Sequence, residues 1–123
     1  CGGIKCDALL LEGLDLLKSY RRDIVPQLYC CNPHDLMRTH EVLDILDVSE
    51  MILNACLLRK SSSKQLCFDR SDNDRMDPPE EHHFITVRME DGKIVRGDVP
   101  MDYFGDLETE YERRNQDYIG GKK

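Results

Sequence analysis

Asn32-Pro33-His34-Asp35-Leu36-Met37-Arg38-Thr39-His40-Glu41-Val42-Leu43-Asp44-Ile45-Leu46-Asp47-Val48-Ser49-Glu50-Met51-Ile52-Leu53-Asn54-Ala55-Cys56-Leu57-Leu58 is the stretch on which the fold turns. Asn32 is a side chain that caps a helix, and the Pro33 ring fits the first helical position. The spacing predicts a helix from Pro33 to about Lys60, near 28 residues and roughly 42 Å long. Its first half is ordinary, with Leu36, Val42, Leu43, Ile45 and Leu46 set among acids, Arg and Thr. From Val48 to Leu58 the apolar residues point in every direction around the axis. A helix that is apolar all round has to be covered all round. The 123 residues offer little to cover it with. On that reading Ile52→Asp buries an unpaired charge and costs several kcal/mol.

Working outward, residues 7 to 24 form a first helix. Leu10, Leu14, Leu17 and Ile24 recur at helical spacing, and Leu9, Leu16 and Tyr20 widen the stripe. Pro26 ends it. The short connector from Gln27 to Cys31 makes the two helices an antiparallel pair. Ser61-Ser62-Ser63 closes the helical part. A polar loop follows, with the charged string Asp69 to Arg75, Pro78-Pro79, and Leu66 to Phe68 as a brief strand. Phe84 to Met89 alternates like a strand, Asp91-Gly92 signals a hairpin, and Lys93 to Arg96 returns. An isolated two-stranded hairpin is marginal in water, so this one needs a floor. The expected architecture is mainly α: a helical part over 1–63, a loop over 64–83, a β-hairpin over 84–100, and an irregular tail over 101–123. A short helix from Leu107 to Asn115 is expected within that tail. With no initiator Met before Cys1, the whole reads as one C-terminal domain excised from a longer polypeptide.

The formal charge of −7 argues against nucleic acid, since phosphate neutralisation needs a net basic face. No apolar run approaches the ~20 residues of a membrane span. The first residues carry neither a basic leader nor an apolar core. The six cysteines contain no CxxC. They read as reduced thiols in a cytoplasmic setting, with Cys56 a small hydrophobe inside the long helix. Zinc held by Cys1, Cys6, Cys30 and Cys31 would have to bridge both ends of the first helix, roughly 25 Å apart. His82 and His83, adjacent at the entry to a strand, point to opposite faces and do not readily share an ion. His40 reads as a partly buried, hydrogen-bonded residue and His34 as solvent-facing. No GxGxxG, P-loop or Ser/His/Asp set is visible. The expected catalytic, cofactor-binding and metal residues within this chain are therefore none. Arg59, Lys60 and Arg70 flank the end of the long helix, where their charge favours the helix dipole. With Met51 and Ile52 they are the candidates for contact with a neighbouring domain.

The run Asn32 to Ile52, its continuation Ala55 to Lys60, then Arg70-Ser71-Asp72, Asp77-Pro78-Pro79-Glu80 and Phe84 onward resemble a known pattern. It is similar to the C-terminal helical domain of the succinate dehydrogenase/fumarate reductase flavoprotein family, a group that includes flavoproteins of the adenylylsulfate reductase type. The resemblance covers roughly residues 1 to 100. It implies an FAD-dependent oxidoreductase whose flavin-binding and substrate-capping domains lie earlier in the polypeptide and carry the cofactor and the catalytic Arg and His groups. The N-terminal FAD-binding domain is then the principal partner, with an iron–sulfur subunit as a further one. The matching place for Glu-Ser-Arg-Gly-x-His reads Ser61-Ser62-Ser63-Lys64-Gln65-Leu66-Cys67 here, which implies a divergent branch and leaves the substrate open. The alternative, from a different class, is a stand-alone helical interaction module, with the bare helix face as a partner groove or homodimer seam.

Overall fold

The first turn of the longer helix is fixed by local chemistry. The computed structural model describes residues 3–101 and 105–116, apart from the side chain of Glu108. Helix α1 is Asp7–Ser19 and helix α2 is Pro33–Leu58. At the start of α2 the Asn32 side chain accepts the Asp35 backbone N–H at 2.9 Å, and Pro33 takes the first helical position. The two helices run antiparallel. Lys60 beyond the end of α2 meets Asp7 at the start of α1, while Arg21 past the end of α1 meets Asp47 and Glu50.

Pro26 does not stop the first helix as the sequence suggested. The chain loosens into a π turn over Tyr20–Ile24 and then a 3-10 turn over Val25–Gln27. Pro26 sits in the opening turn of that last piece, where a missing N–H costs nothing. Between the helices lies a small core of Leu10, Leu14, Leu53 and Leu57, with Leu17 and Cys56 against it. Gly13 lets the axes approach, because a Cβ there would lie 3.2 Å from Leu53 Cδ1. Ile24, expected in the buried stripe, and Leu9, Leu16 and Tyr20, expected to widen it, are exposed instead. One helix is too narrow a partner to cover so broad an apolar arc.

Strands β1 (His83–Glu90) and β2 (Lys93–Pro100) form the hairpin, which begins one residue before the expected span of 84–100 and ends with it. Phe84 pairs with Val99 and Glu90 with Lys93. Asp91 and Gly92 both take positive φ, 49° and 72°, as a two-residue turn of this hand requires. The floor the hairpin needs is α2, which both strands contact. Arg96 reaches across to donate to Asn54 Oδ1 at 2.6 Å. Asn54 is itself buried and donates to the Glu50 carbonyl at 2.8 Å.

The segment 64–83 is not a free loop. Ser63 pairs with Phe68 and Ser62 with Met76 in isolated bridges, and Pro79–Glu81 makes a 3-10 turn. Leu66 to Phe68 is a turn rather than a strand, with Cys67 at φ 49°. Helix α3, Leu107–Arg114, lies within one residue of its expected end. Tyr103, Phe104 and Tyr118 of the expected tail, and Cys1, lie outside the described residues. The chain exposes 9655 Å², against about 6,800 Å² for a compact monomer of 14.3 kDa.

Candidate functional site

Two regions stand out when α2 is followed around its axis. The first is a polar knot at its C-terminal end. Ser61, Ser62 and Ser63 turn the chain inward and are buried, although Ser is an exposed residue type as a rule. Ser62 and Ser63 are consumed by hydrogen bonds. The Ser62 hydroxyl accepts the Arg70 backbone N–H at 3.0 Å, and Ser63 exchanges both backbone bonds with Phe68. Lys5 does the same for the segment around Arg70: its N–H goes to the Asp69 carbonyl and its carbonyl takes the Ser71 N–H, each at 2.9 Å.

At the centre lies Arg70, whose side chain is 1% exposed. Its Nε and one Nη2 bond grip both oxygens of Asp72, at 2.7 and 2.5 Å. The other Nη2 bond reaches Asp7 at 2.5 Å. Nη1 donates to the carbonyls of Cys56 and Arg59, at 3.1 and 3.2 Å. All five guanidinium donors are thereby used, and two of them satisfy carbonyls that the end of α2 leaves orphaned. Asp72 in turn accepts the Asp7 backbone N–H at 2.7 Å, at the positive end of α1. Lys60 Nζ lies 2.8 Å from the Asp7 carboxylate. The bonds from Arg70, and then from the Asp7 N–H, hold the Asp72 carboxyl far below the usual carboxylate range. Arg70, then Lys60, depress Asp7 as well. Asp72, then Asp7, push the Arg70 guanidinium still higher, so it stays charged. Asp77 closes the knot, accepting the Lys64 N–H at 3.2 Å.

The second region is apolar and bare. Val42, Ile45, Val48 and Ile52 line one flank of α2, and each is close to half exposed or more. With 3.6 residues per turn they share one side of the helix. The eleven residues Val48–Leu58, expected to lack shelter on every side, are thus sheltered on two. Leu53 and Leu57 face α1, and Asn54 faces the hairpin. Ile52, at 51% exposure, is on the uncovered side, so the cost assigned to Ile52→Asp does not arise within this chain.

The five candidate contact residues separate accordingly. Arg70 is turned inward at the centre of the knot, and Lys60 is exposed at its edge on Asp7. Met51 is half-buried, Ile52 is on the open flank, and Arg59 is half-buried with no hydrogen bond or ion pair to its side chain among the described residues. His40, expected to be partly buried, is exposed, as are His34 and His82. Cys6, Cys30, Cys31, Cys56 and Cys67 are free thiols. Among the described residues no three His, Cys, Asp or Glu side chains gather as for a metal ion. No described helix is long and apolar enough to cross a membrane. The residues that sequence reasoning passed over are Asp7, Asn54 and the three serines. Asp7 carried a signal, being an acid in the first turn of α1. The burial of Asn54 carried none.

No protein-family model, curated protein or solved structure matches the chain.

Proposed function

We propose that this chain is the C-terminal domain of an FAD-dependent oxidoreductase resembling the fumarate reductase/succinate dehydrogenase flavoproteins. It packs on the flavin domain of the same polypeptide and has no turnover of its own. The observation that carries the reading is the open flank of Val42, Ile45, Val48 and Ile52 on an otherwise well-anchored helix. Contiguous exposed apolar surface is a mark of an interaction face.

A second observation supports it. Arg70, Asp72 and Asp77, which carry part of the resemblance, all have bonds internal to the domain. A motif of that kind belongs to a scaffold, because its chemistry is consumed in holding two helix ends and a loop together. Ser61 to Ser63, standing where the related pattern has Glu, Arg and His, are buried in the same knot and present no acid or base to a neighbouring substrate. The flavin, the dicarboxylate-type chemistry and contact with an iron–sulfur subunit belong in this reading to the preceding part of the protein, in the cytoplasm.

The test is the coding DNA upstream of Cys1 together with the colour of the product. An in-frame segment encoding a strand followed by GxGxxG is expected, and the longer protein purifies yellow with a flavin absorption band. The 123-residue chain alone purifies colourless. A start codon close to Cys1, or a yellow 123-residue chain, overturns the proposal. The first of these outcomes favours a stand-alone interaction module.

A further inference from the structure

A cleft lies between the end of α2, the turn at Leu66–Phe68 and the start of β1. It has two lobes, of about 240 and 290 Å³. Arg59, Leu66, His83 and Phe84 line both. The larger lobe is otherwise walled by Ala55, Cys56, Phe68 and Ile85, and it contains no acid. The smaller lobe adds Asp77 and Glu81, with His82 beside them. Asp77 is occupied by the Lys64 N–H, and no ion pair joins Glu81 to Arg59 among the described residues.

Arg59 is the unusual member. Its backbone is pinned, the N–H by Ala55 O at 3.3 Å and the carbonyl by Arg70 at 3.2 Å. Its side chain is half-buried against apolar walls without an anionic partner among the described residues. Partial burial of an unpaired cation is unfavourable, and the same low-polarity surroundings strengthen its pairing with an incoming anion. An open apolar groove with one cation at its rim is complementary to a molecule with an apolar body and one negative end. Glu81 and Asp77 in the adjoining lobe repel a second negative group.

We propose that this cleft binds a small aliphatic or aromatic monocarboxylate, with the apolar body among Leu66, Phe68 and Phe84 and the carboxylate on Arg59. The site does not rest on the flavoprotein reading. It is a property of this chain alone and is testable on it.

The experiment titrates the ¹⁵N-labelled 123-residue chain with 4-phenylbutyrate, 4-phenylbutan-1-ol and 4-phenylbutylamine, following amide shifts. 4-Phenylbutyrate is expected to shift Leu66, Phe68 and Phe84 and to bind at least about tenfold more tightly than the alcohol or the amine, in keeping with a desolvated charge-assisted pair. Arg59→Gln, checked for an otherwise unchanged amide spectrum, is expected to erase the difference between acid and alcohol. Arg59→Lys, which keeps the charge, retains part of it. Equal affinity for the three probes, no binding of any of them, shifts centred outside the cleft, or an undiminished acid preference in Arg59→Gln each overturns the proposal.

Discussion

The two ends of the surface chemistry of α2 are opposites. At its C-terminus the charged groups of the knot are paired: five donors of Arg70, the carboxylates of Asp7 and Asp72, and the carbonyls of Cys56 and Arg59, with the buried Ser61 hydroxyl left without a partner among the described residues. Along its outer flank four large aliphatic side chains have no partner within the described residues. The contrast teaches where this chain is self-sufficient. Hydrogen-bonding groups buried without partners carry a penalty that the fold has to remove locally. Exposed apolar surface only forgoes a gain, which a second body can still supply.

Removing Arg70 is the largest perturbation to that contrast. Arg70→Ala leaves two carbonyls at the end of α2 without their donor, and leaves Asp7 held by Lys60 and Asp72 by the Asp7 N–H. A loss of roughly 3 kcal/mol is expected in chemical denaturation, toward the low side for a buried pair because Asp7 and Asp72 keep some solvent. A loss under about 1 kcal/mol shows that the knot is ornamental, and the comparison fails.

The same knot sets an acid limit. Asp72 and Asp7 have folded-state values below their unfolded ones, so their contribution is fully present above the unfolded value of 3.8 and fades as the pH falls through the lower folded values. Arg70, raised from an already high value, adds no dependence in this range. Wild type is therefore expected to lose stability below about pH 4 more steeply than Arg70→Ala, which keeps only the Lys60 and Asp7 N–H bonds to these carboxylates. Parallel pH profiles for the two proteins contradict this.

Asn54→Ala tests the second covered side. It removes the anchor of Arg96 and leaves that side chain to solvent, with an expected cost of about 1–2 kcal/mol. Faster hydrogen exchange is expected in β1 and β2 than in α1. Uniform loosening of the whole chain implies that the hairpin is not held chiefly at this point.

Ile52→Asp is expected to do least. At 51% exposure the new carboxylate stays hydrated, and the stability of the isolated chain changes by less than about 1 kcal/mol. In the longer polypeptide expected under the flavoprotein reading, the same substitution costs several kcal/mol, because the flank is then covered. A large loss in the isolated chain places Ile52 inside it and removes the open flank.

Much of this was legible in the residues. Asn32-Pro33 announced α2, the leucines at 10, 14 and 17 announced its partner, and Asp91-Gly92 announced the hairpin turn. Each of these signals acts over a few residues, through capping, periodicity or a positive φ. The knot was not legible, although Arg70-Ser71-Asp72 stood out as a string. Its partners at Asp7, Cys56 and Arg59 are brought together only when α1 and α2 have packed. Nor did the string of serines look buried, since Ser is an exposed residue type as a rule and the partners of Ser62 and Ser63 come from the folded segment 68–77.

The amino-acid order by itself therefore determined where α1, α2 and the hairpin lie, because those choices rest on interactions between near neighbours along the chain. Which face of α2 is covered, and by what, was decided by tertiary structure alone. Periodicity says that a side chain is apolar and where it points. Only the docking of α1 on one side and the hairpin on another determines which of those directions is left facing water.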